Sequence, residues 1–259
     1  MRKTIETLLH DGFILVFNSE TLDVVKTARA LLDAGICNME VTCRIKNAAE
    51  KLRTLKREVP EFKAGAASLL DFPQSRERFN VRNPNRNLPS LDEMVDAGAD
   101  YLVSAVNFRP ETYAKYAGKL PIIPGCGTAT EIMSQYELGA NFCKLFPAAQ
   151  AGGVKFLEAV DPAIHKMVSV MPTGGTTSQN IPDYITAGVL LVGGSFSMIE
   201  KETLKSINDR QDYKLLAAEL RKVKDLIDSC RHKKYPSINF KTATLAEIEQ
   251  ATGRDFNAK

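Results

Sequence analysis

The chain has 259 residues, of which 44% are apolar and 25% are charged. This balance is typical of a folded globular protein and excludes a disordered or fibrous chain. The formal net charge is only +3, and its cations are spread along the chain, which argues against a nucleic-acid partner.

The N-terminal region and the cysteines indicate where the protein works. The longest apolar run near the N-terminus is Phe13–Phe17, which is too short for a signal sequence or a membrane span. The five cysteines include no CxxC pair, so buried free thiols are expected rather than disulfides. We therefore expect a cytoplasmic protein with no membrane partner.

Eight short apolar runs alternate with amphipathic stretches along the chain. The runs show little apolar/polar alternation, which is typical of parallel strands buried on both faces. Helical patterns lie between them, such as Leu22–Ala34, which ends at Gly35, and Glu131–Leu138, which follows the capping residue Thr128. The predicted strands are Phe13–Phe17, Ile36–Cys43, Lys63–Ser68, Tyr101–Val106, Pro121–Cys126, Phe142–Phe146, Val168–Met171 and Val189–Val192.

This alternation predicts an α/β fold built from parallel βαβ units. Eight strands can close a barrel without a free edge, and about 250 residues is the usual length of such a barrel. We therefore expect a single-domain (β/α)8 TIM barrel; a doubly wound open sheet is the alternative.

Two segments near the first and third strands fall outside this repeat. Arg2–Leu9 is predicted as a short helix that covers the barrel floor. Asp71–Ser90 is polar and proline-containing, so we expect an extended loop without regular structure after the third strand, on the C-terminal face of the barrel. This loop carries four arginines, namely Arg76, Arg78, Arg82 and Arg86.

The tail is the third such segment. It contains a pattern for a short helix that is capped at Thr244 and ended by Gly253. We expect the tail on the barrel surface or at a subunit contact. The predicted organisation is a barrel over 1–230, with an insertion at about 71–90, followed by a helical C-terminal extension over 231–259.

Lys144 is the first candidate for chemistry, because it interrupts the apolar strand Phe142–Phe146. Lysine is rarely buried without a reason. Burial disfavours the charged form of an amine, and a neutral amine is the nucleophile of Schiff-base chemistry. A lysine that pairs with a carboxylate, or that extends to solvent, remains the alternative at this point.

Glu40 and Arg44 are the second candidates. Glu40 and Thr42 are two residues apart in one strand, so they point to the same side. If that side is the barrel interior, Glu40 can transfer protons, and Arg44 at the strand end can hold a carboxylate. An internal ion pair that only fills the barrel is the alternative.

Two glycine pairs follow the last two strands. Pro172-Thr-Gly-Gly175 ends the seventh predicted strand and Gly193-Gly-Ser195 ends the eighth. Glycines let backbone N–H groups approach a phosphate, and these two loops are the common phosphate site of barrels. No GxGxxG follows the first strand and no His, Asp or Glu cluster has metal-ligand spacing, so neither a nicotinamide cofactor nor a metal is expected.

Seven motifs together resemble the 2-keto-3-deoxy-6-phosphogluconate / 4-hydroxy-2-oxoglutarate aldolases, which are class I aldolases. The resemblance extends from about Thr4 to Lys224. The motifs are Glu40-Val-Thr-Cys-Arg44, Ile123-Pro-Gly125, Thr128-Ala-Thr-Glu131, Lys144-Leu-Phe-Pro147, Gly152-Gly-Val-Lys155, Pro172-Thr-Gly-Gly175 and Gly193-Gly-Ser195.

The resemblance implies a (β/α)8 barrel, usually a homotrimer. It implies an aldehyde-lyase that needs no metal or other cofactor and that cleaves a 2-keto-3-deoxy sugar acid, often phosphorylated, to pyruvate and an aldehyde. Lys144 would form the Schiff base and Glu40 would be the general acid and base. The implied substrate-binding residues are Arg44, Ser68, Phe146, Thr173, Gly174, Gly175, Gly194 and Ser195.

The sequence also departs from the family pattern. Asn18 stands where relatives commonly have arginine, Ser68 where they have threonine, and Asp71–Ser90 is longer than usual. We hypothesise that the loop arginines supply the charge that is missing at Asn18. An isomerase-type or non-catalytic sugar-phosphate-binding barrel is the alternative function.

Overall fold

The computed structural model describes residues 1–160 and 162–258. Its strands are β1 Phe13–Phe17, β2 Asn38–Thr42, β3 Lys63–Leu69, β4 Tyr101–Ser104, β5 Ile122–Ile123, β6 Gly125–Cys126, β7 Cys143–Leu145, β8 Val170–Pro172 and β9 Val192–Ser195. Its helices are α1 Arg2–Asp11, α2 Val24–Asp33, α3 Ala48–Glu58, α4 Pro73–Arg82, α5 Leu91–Asp96, α6 Pro110–Tyr116, α7 Ala129–Glu137, α8 Gly153–Ala159, α9 Pro162–Met167, α10 Ile181–Thr186, α11 Lys201–Arg210, α12 Tyr213–Lys234 and α13 Leu245–Thr252, with a 3₁₀ turn at Phe196–Met198.

The strands form two parallel sheets, which confirms the predicted α/β class. One sheet has the order β5-β4-β3-β2-β1-β9 and the other has the order β6-β7-β8. Only Pro124 separates β5 from β6, so the predicted fifth strand is one run that proline divides, since proline has no N–H for the ladder. At the other junction, the Thr176 hydroxyl beyond β8 donates to Gly193 O of β9 at 2.7 Å.

Helices cover the outer faces of these sheets. Every residue of β1 and β2 is buried, which explains why the sequence shows continuous apolar runs there. The α2 helix begins at Asp23, whose carboxylate accepts a hydrogen bond from Lys26 N, and α7 begins at Thr128, whose hydroxyl accepts one from Glu131 N. Both helices therefore start where side-chain caps satisfy free N–H groups.

The last strand lies further along the chain than predicted. The sequence indicated Val189–Val192, whereas β9 is Val192–Ser195 and includes both glycines. A side chain at Gly193 would collide with Thr173, and one at Gly194 would collide with Met198. These glycines therefore lie inside the strand, where they allow close packing, and not in a loop after it, where we predicted them.

The segment after β3 is also different from the prediction, because it contains the helix α4. Pro73 occupies the first turn, where proline is well tolerated. None of the α4 residues is buried, so the sequence has no apolar stripe that would identify a helix. Asn80 of α4 forms two hydrogen bonds with Leu88, which lies beyond the helix. Its side chain accepts from Leu88 N at 2.8 Å and donates to Leu88 O at 3.1 Å, and this bridge closes the rest of the segment into a loop.

Both ends of the chain pack at the N-terminal edge of the strands. The predicted helix at the start is α1, and the predicted tail helix is α13, with its cap at Thr244 and its end at Gly253. The tail is not a surface appendage: Phe256 is fully buried and its ring centroid lies 5.3 Å from that of Phe142. The helix α12 continues through position 231 to Lys234.

The tail joins an apolar cluster that α1 and the strand interiors share. Asn141, which precedes β7, donates its side-chain amide to Phe256 O at 2.7 Å. Arg231 is buried, stacks 3.7 Å from the Phe240 ring centroid and donates to Leu9 O. These contacts place the tail at the edge opposite the carboxyl ends of the strands.

Two of the five free cysteines differ from the buried position that we predicted. Cys37 is exposed and Cys230 is half-buried, whereas Cys43, Cys126 and Cys143 are buried. Cys37 lies in the turn before β2, outside the strand whose apolar residues suggested burial.

We expect Phe256→Ala to lower the free energy of unfolding by about 3–5 kcal/mol, because it empties a packed aromatic site. Val81→Ala, at a 76% exposed position of α4, is the control and should stay within about 0.5 kcal/mol of the original chain. Urea unfolding of both variants measures the difference. An unchanged midpoint for Phe256→Ala would show that the tail does not belong to the core.

Candidate active site

A cavity of about 610 Å³ opens at the carboxyl ends of the strands. In parallel α/β folds, binding and catalytic residues gather at this end. The cavity is lined by six of the ten predicted site residues, namely Glu40, Arg44, Ser68, Lys144, Phe146 and Thr173.

Lys144 and Glu40 face each other inside this cavity. Lys144 lies on β7 and Glu40 on β2, and the Lys144 Nζ to Glu40 Oε1 distance is 3.1 Å. Their side chains are only 6% and 2% exposed. The amine also lies 5.4 Å from the centroid of the Phe146 ring. The neighbours of the nitrogen thus include an aromatic ring and a carboxylate.

Two buried oxygen atoms in the cavity have no hydrogen-bond partner within the described residues. They are Glu40 Oε2 and Thr173 Oγ1. A buried polar atom without a partner costs about 1–3 kcal/mol, so such atoms are rare unless a ligand completes them. Both atoms are therefore available to a bound molecule.

Arg44 and Ser68 form a second polar pair at the cavity wall. The register of β3 with β4 shifts between Ala66 and Leu69, and Ser68 adopts a left-handed φ of 55°. This bulge redirects Ser68, whose hydroxyl accepts a hydrogen bond from Arg44 Nε at 3.1 Å. The Arg44 side chain stays exposed, with N–H groups free to meet an anion.

The remaining predicted residues, Gly174, Gly175, Gly194 and Ser195, lie beside the cavity rather than in its lining. Gly174 and Gly175 directly follow the lining residue Thr173 and have φ values of 85° and 83°. Ser195 pairs with Val16 of β1, and Val16 lines the cavity. Successive backbone N–H groups in left-handed glycines can bind an anion.

Sequence reasoning did not single out several other lining residues. Glu20 belongs to this set, as do the apolar residues Phe79 and Leu88. Thr42, which its spacing predicted to lie on the same side of the strand as Glu40, also lines the cavity. Arg86 also lines the cavity, and the sequence offers no way to distinguish it from the other three loop arginines.

Glu20 is negatively charged at the cavity mouth. It accepts hydrogen bonds from Lys46 N at 3.0 Å and from Lys51 Nζ at 3.4 Å. Desolvation acts to raise the pKa of Glu20, but these hydrogen bonds and the nearby cations hold that pKa below its ordinary value.

No group of three or more His, Cys, Asp or Glu side chains within the described residues is arranged to hold a metal ion. None of the helices in the described part of the chain is long and apolar enough to cross a membrane.

Comparison with known proteins agrees with this geometry. Residues 85–215 match the aldolase family described as KDPG and KHG aldolase. The chain is 35% identical over 173 residues to the KHG/KDPG aldolase of Escherichia coli strain K12, which covers 66% of this chain and 73% of that protein. It is 34% identical over 183 residues to the 2-dehydro-3-deoxy-phosphogluconate aldolase of Dickeya dadantii. That alignment covers 70% of this chain and 78% of that protein.

The fold is also shared with a solved aldolase. The KDPG aldolase of Legionella pneumophila, solved with pyruvate captured at low pH as a covalent carbinolamine, superposes with a TM-score of 0.67 and 28% identity. The superposition covers 84% of this chain and 97% of that one. From the family match, the sequence identity and the shared fold, it follows that the chain belongs to the KDPG and KHG aldolases and is a lyase of the class I aldolase type.

Proposed function

We propose that the chain cleaves a 2-keto-3-deoxy sugar acid to pyruvate and an aldehyde through a Schiff base on Lys144, without a metal or other cofactor. The observation that carries this proposal is the buried Lys144 amine, 3.1 Å from the Glu40 carboxylate in a cavity large enough for a small sugar acid. Such a pair supplies a nucleophile and a proton carrier at one point, as imine formation requires.

The first half of the reaction forms the covalent bond. The neutral Lys144 amine attacks the C2 ketone of the substrate, the resulting carbinolamine loses water, and a positively charged iminium remains. Glu40, within hydrogen-bond distance of the nitrogen, moves the protons that these steps require. The Phe146 ring near the amine offers a favourable face to the positive charge.

The second half breaks the C3–C4 bond. Glu40 accepts the proton of the C4 hydroxyl, directly or through a water, while the electrons of the C3–C4 bond pass into the iminium. The aldehyde leaves, and an enamine stays on Lys144. Protonation at C3 and hydrolysis of the imine then release pyruvate and restore the amine. One carboxylate serves these steps because they occur in sequence.

The cavity walls suggest how the substrate is oriented. The exposed Arg44 guanidinium and the Ser68 hydroxyl suit the C1 carboxylate, since a charged donor beside a neutral one favours an anion. Thr173, Gly174, Gly175, Gly194 and Ser195 lie at the β8 and β9 ends, where a phosphate would bind. Phe146 would form the apolar wall beside the reacting carbons.

The same family membership supports a proposal for the architecture, the oligomeric state and the location of the protein. We propose that the two sheets form one (β/α)8 barrel, in which β5 and β6 count as one strand and the Thr176–Gly193 contact lies at the closing seam. The chain would act as a homotrimer in the cytoplasm, with the tail as a C-terminal extension of the barrel.

We expect borohydride and pyruvate to attach a reduced pyruvyl group to the peptide that contains Lys144, because borohydride traps an imine as a stable amine. Mass spectrometry of the digested protein measures the adduct. Lys144→Arg should abolish the adduct and pyruvate release, whereas Lys214→Arg, at an exposed position on α12, should retain both. Unchanged pyruvate release in Lys144→Arg would show that Lys144 does not form the Schiff base. No pyruvate release from any 2-keto acid by the original chain would instead favour a sugar-phosphate-binding or isomerase-type barrel.

We expect Glu40→Gln to reduce kcat by about 10²- to 10⁴-fold, the range for loss of a general acid or base. Glutamine can still accept a hydrogen bond from Lys144, so the cavity should keep its shape. Steady-state release of pyruvate measures the effect, and Glu58→Gln, on the exposed side of α3, is the control. An unchanged kcat in Glu40→Gln would remove Glu40 from the chemistry.

A further inference from the structure

The segment between β3 and α5 forms one wall of the catalytic cavity. Four of its residues line the cavity, namely Leu70, Phe79, Arg86 and Leu88. The Asn80–Leu88 hydrogen bonds hold the end of this segment against α4. The segment therefore brings three apolar residues and one cation to the place where the substrate must lie.

The four arginines of the segment occupy different surroundings. Arg86 lines the catalytic cavity and, together with Arg76, one neighbouring cavity. Arg76 also lines a second neighbouring cavity, and Arg78 and Arg82 line an outer groove beside Glu77. Of the four arginines, Arg86 is the one in the lining of the catalytic cavity. The hypothesis that all four arginines supply charge to the site thus narrows to Arg86.

The Arg86 guanidinium is only loosely held. Within the described residues its one ion pair is with Glu20, at 3.9 Å from Arg86 Nη2 to Glu20 Oε1, and the Arg86 side chain is 60% exposed. Glu20 has closer partners in Lys46 N and Lys51. An anionic ligand therefore need not break a strong ion pair to reach Arg86.

The positions of the cations indicate which part of the substrate Arg86 meets. The cavity is lined by three cations within the described residues, Arg44, Arg86 and Lys144. On the proposed mechanism, Lys144 takes C2 and Arg44 takes the C1 carboxylate. At the end of β1 the lining residue is the neutral Asn18. The segments at the β8 and β9 ends, 173–179 and 193–198, offer backbone N–H groups but no cation, so Arg86 is the remaining cation that could join them at the far end of the substrate.

We propose that Arg86 binds an anionic group on the far end of the substrate, the end that leaves as the aldehyde, and thereby determines substrate specificity. A planar guanidinium forms paired hydrogen bonds with phosphate or carboxylate oxygens. Among the substrates of the proposed function, Arg86 would favour those with a phosphate ester or a carboxylate at that end over those with a hydroxyl. This inference rests on the proposed function, because it takes the orientation of the substrate from Lys144 and Arg44.

The test compares three substrates that differ at the far end. They are 2-keto-3-deoxy-6-phosphogluconate, 4-hydroxy-2-oxoglutarate and the unphosphorylated 2-keto-3-deoxygluconate, which carry a phosphate, a carboxylate and a hydroxyl there. The original chain should cleave at least one anionic substrate with a higher kcat/KM than the neutral substrate. Arg86→Gln should lower kcat/KM for that anionic substrate about 10- to 100-fold, mainly through KM, as expected for one lost charge-assisted contact.

The neutral substrate and the covalent step supply the internal controls. Arg86→Gln should leave kcat/KM for the neutral substrate within about twofold, since that substrate has no anionic group whose contact with the guanidinium could be lost. It should also form the pyruvate–borohydride adduct at Lys144 as well as the original chain does, because pyruvate has no far end. Arg82→Gln, which removes the same charge from the outer groove, should change none of these values.

The outcomes separate this inference from the proposed function. Equal losses on the anionic and neutral substrates, no loss at all, or an original chain that prefers the neutral substrate would each overturn the role of Arg86 while the Lys144 adduct still forms. Loss of the adduct in Arg86→Gln would show that Arg86 maintains the structure of the site. It would also overturn the proposal that Arg86 binds the far end of the substrate. If the original chain forms no adduct, the Schiff-base function fails, and the inference fails with it.

Discussion

The buried contact between Lys144 and Glu40 is the constraint on which the rest of the site depends. Removing two ionic groups from water costs several kcal/mol for each, and an apolar pair of similar volume would often be as stable. Stability alone therefore gives no reason for this pair at the centre of the molecule. On the mechanism that we propose, its use is chemical: Lys144 forms the imine, and Glu40, 3.1 Å from the nitrogen, carries the protons.

The parallel strands explain how two residues a hundred positions apart reach this contact. Glu40 and Lys144 are the middle residues of the short buried strands β2 and β7, and parallel strands bring their carboxyl ends together. Below Glu40, polar groups are connected: the Tyr101 hydroxyl donates to Asn38 Oδ1 at 3.1 Å, and the Asn38 amide donates to Asp11 at 2.7 Å. Burial raises the pKa of Asp11 to about 6. The Asn38 amide and the Tyr101 hydroxyl are thus paired beneath the site, whereas Glu40 Oε2 and Thr173 Oγ1 at the cavity have no hydrogen-bond partner within the described residues.

Whether the sequence predicted a helix or strand depended on the interactions that stabilise it. Continuous apolar runs identified β1 and β2, and side-chain caps identified the start of α7 and of the tail helix, because burial and capping are encoded by neighbouring residues. The α4 helix escaped prediction because it buries no residue. The shift of β9 to Val192–Ser195 escaped because the glycines there are required by Thr173 and Met198, and Thr173 is distant in sequence.

The same distinction applies to the site. A lone lysine in an apolar strand is a local anomaly, so Lys144 and its carboxylate partner are recognisable from the sequence alone. The pairing of Arg44 with Ser68 depends on a bulge in β3, and only the family resemblance indicates it. Arg86 is the hardest of these residues to recognise from the sequence, because the four arginines of its polar segment are equivalent there. They differ only in the positions that they take when the Asn80–Leu88 bridge folds the segment. The residues that we assign to the chemistry are therefore predictable from their own strands, whereas the residue that we assign to specificity is defined by a segment folded over the cavity. Such a segment can change the far-end preference without disturbing the contact between Lys144 and Glu40.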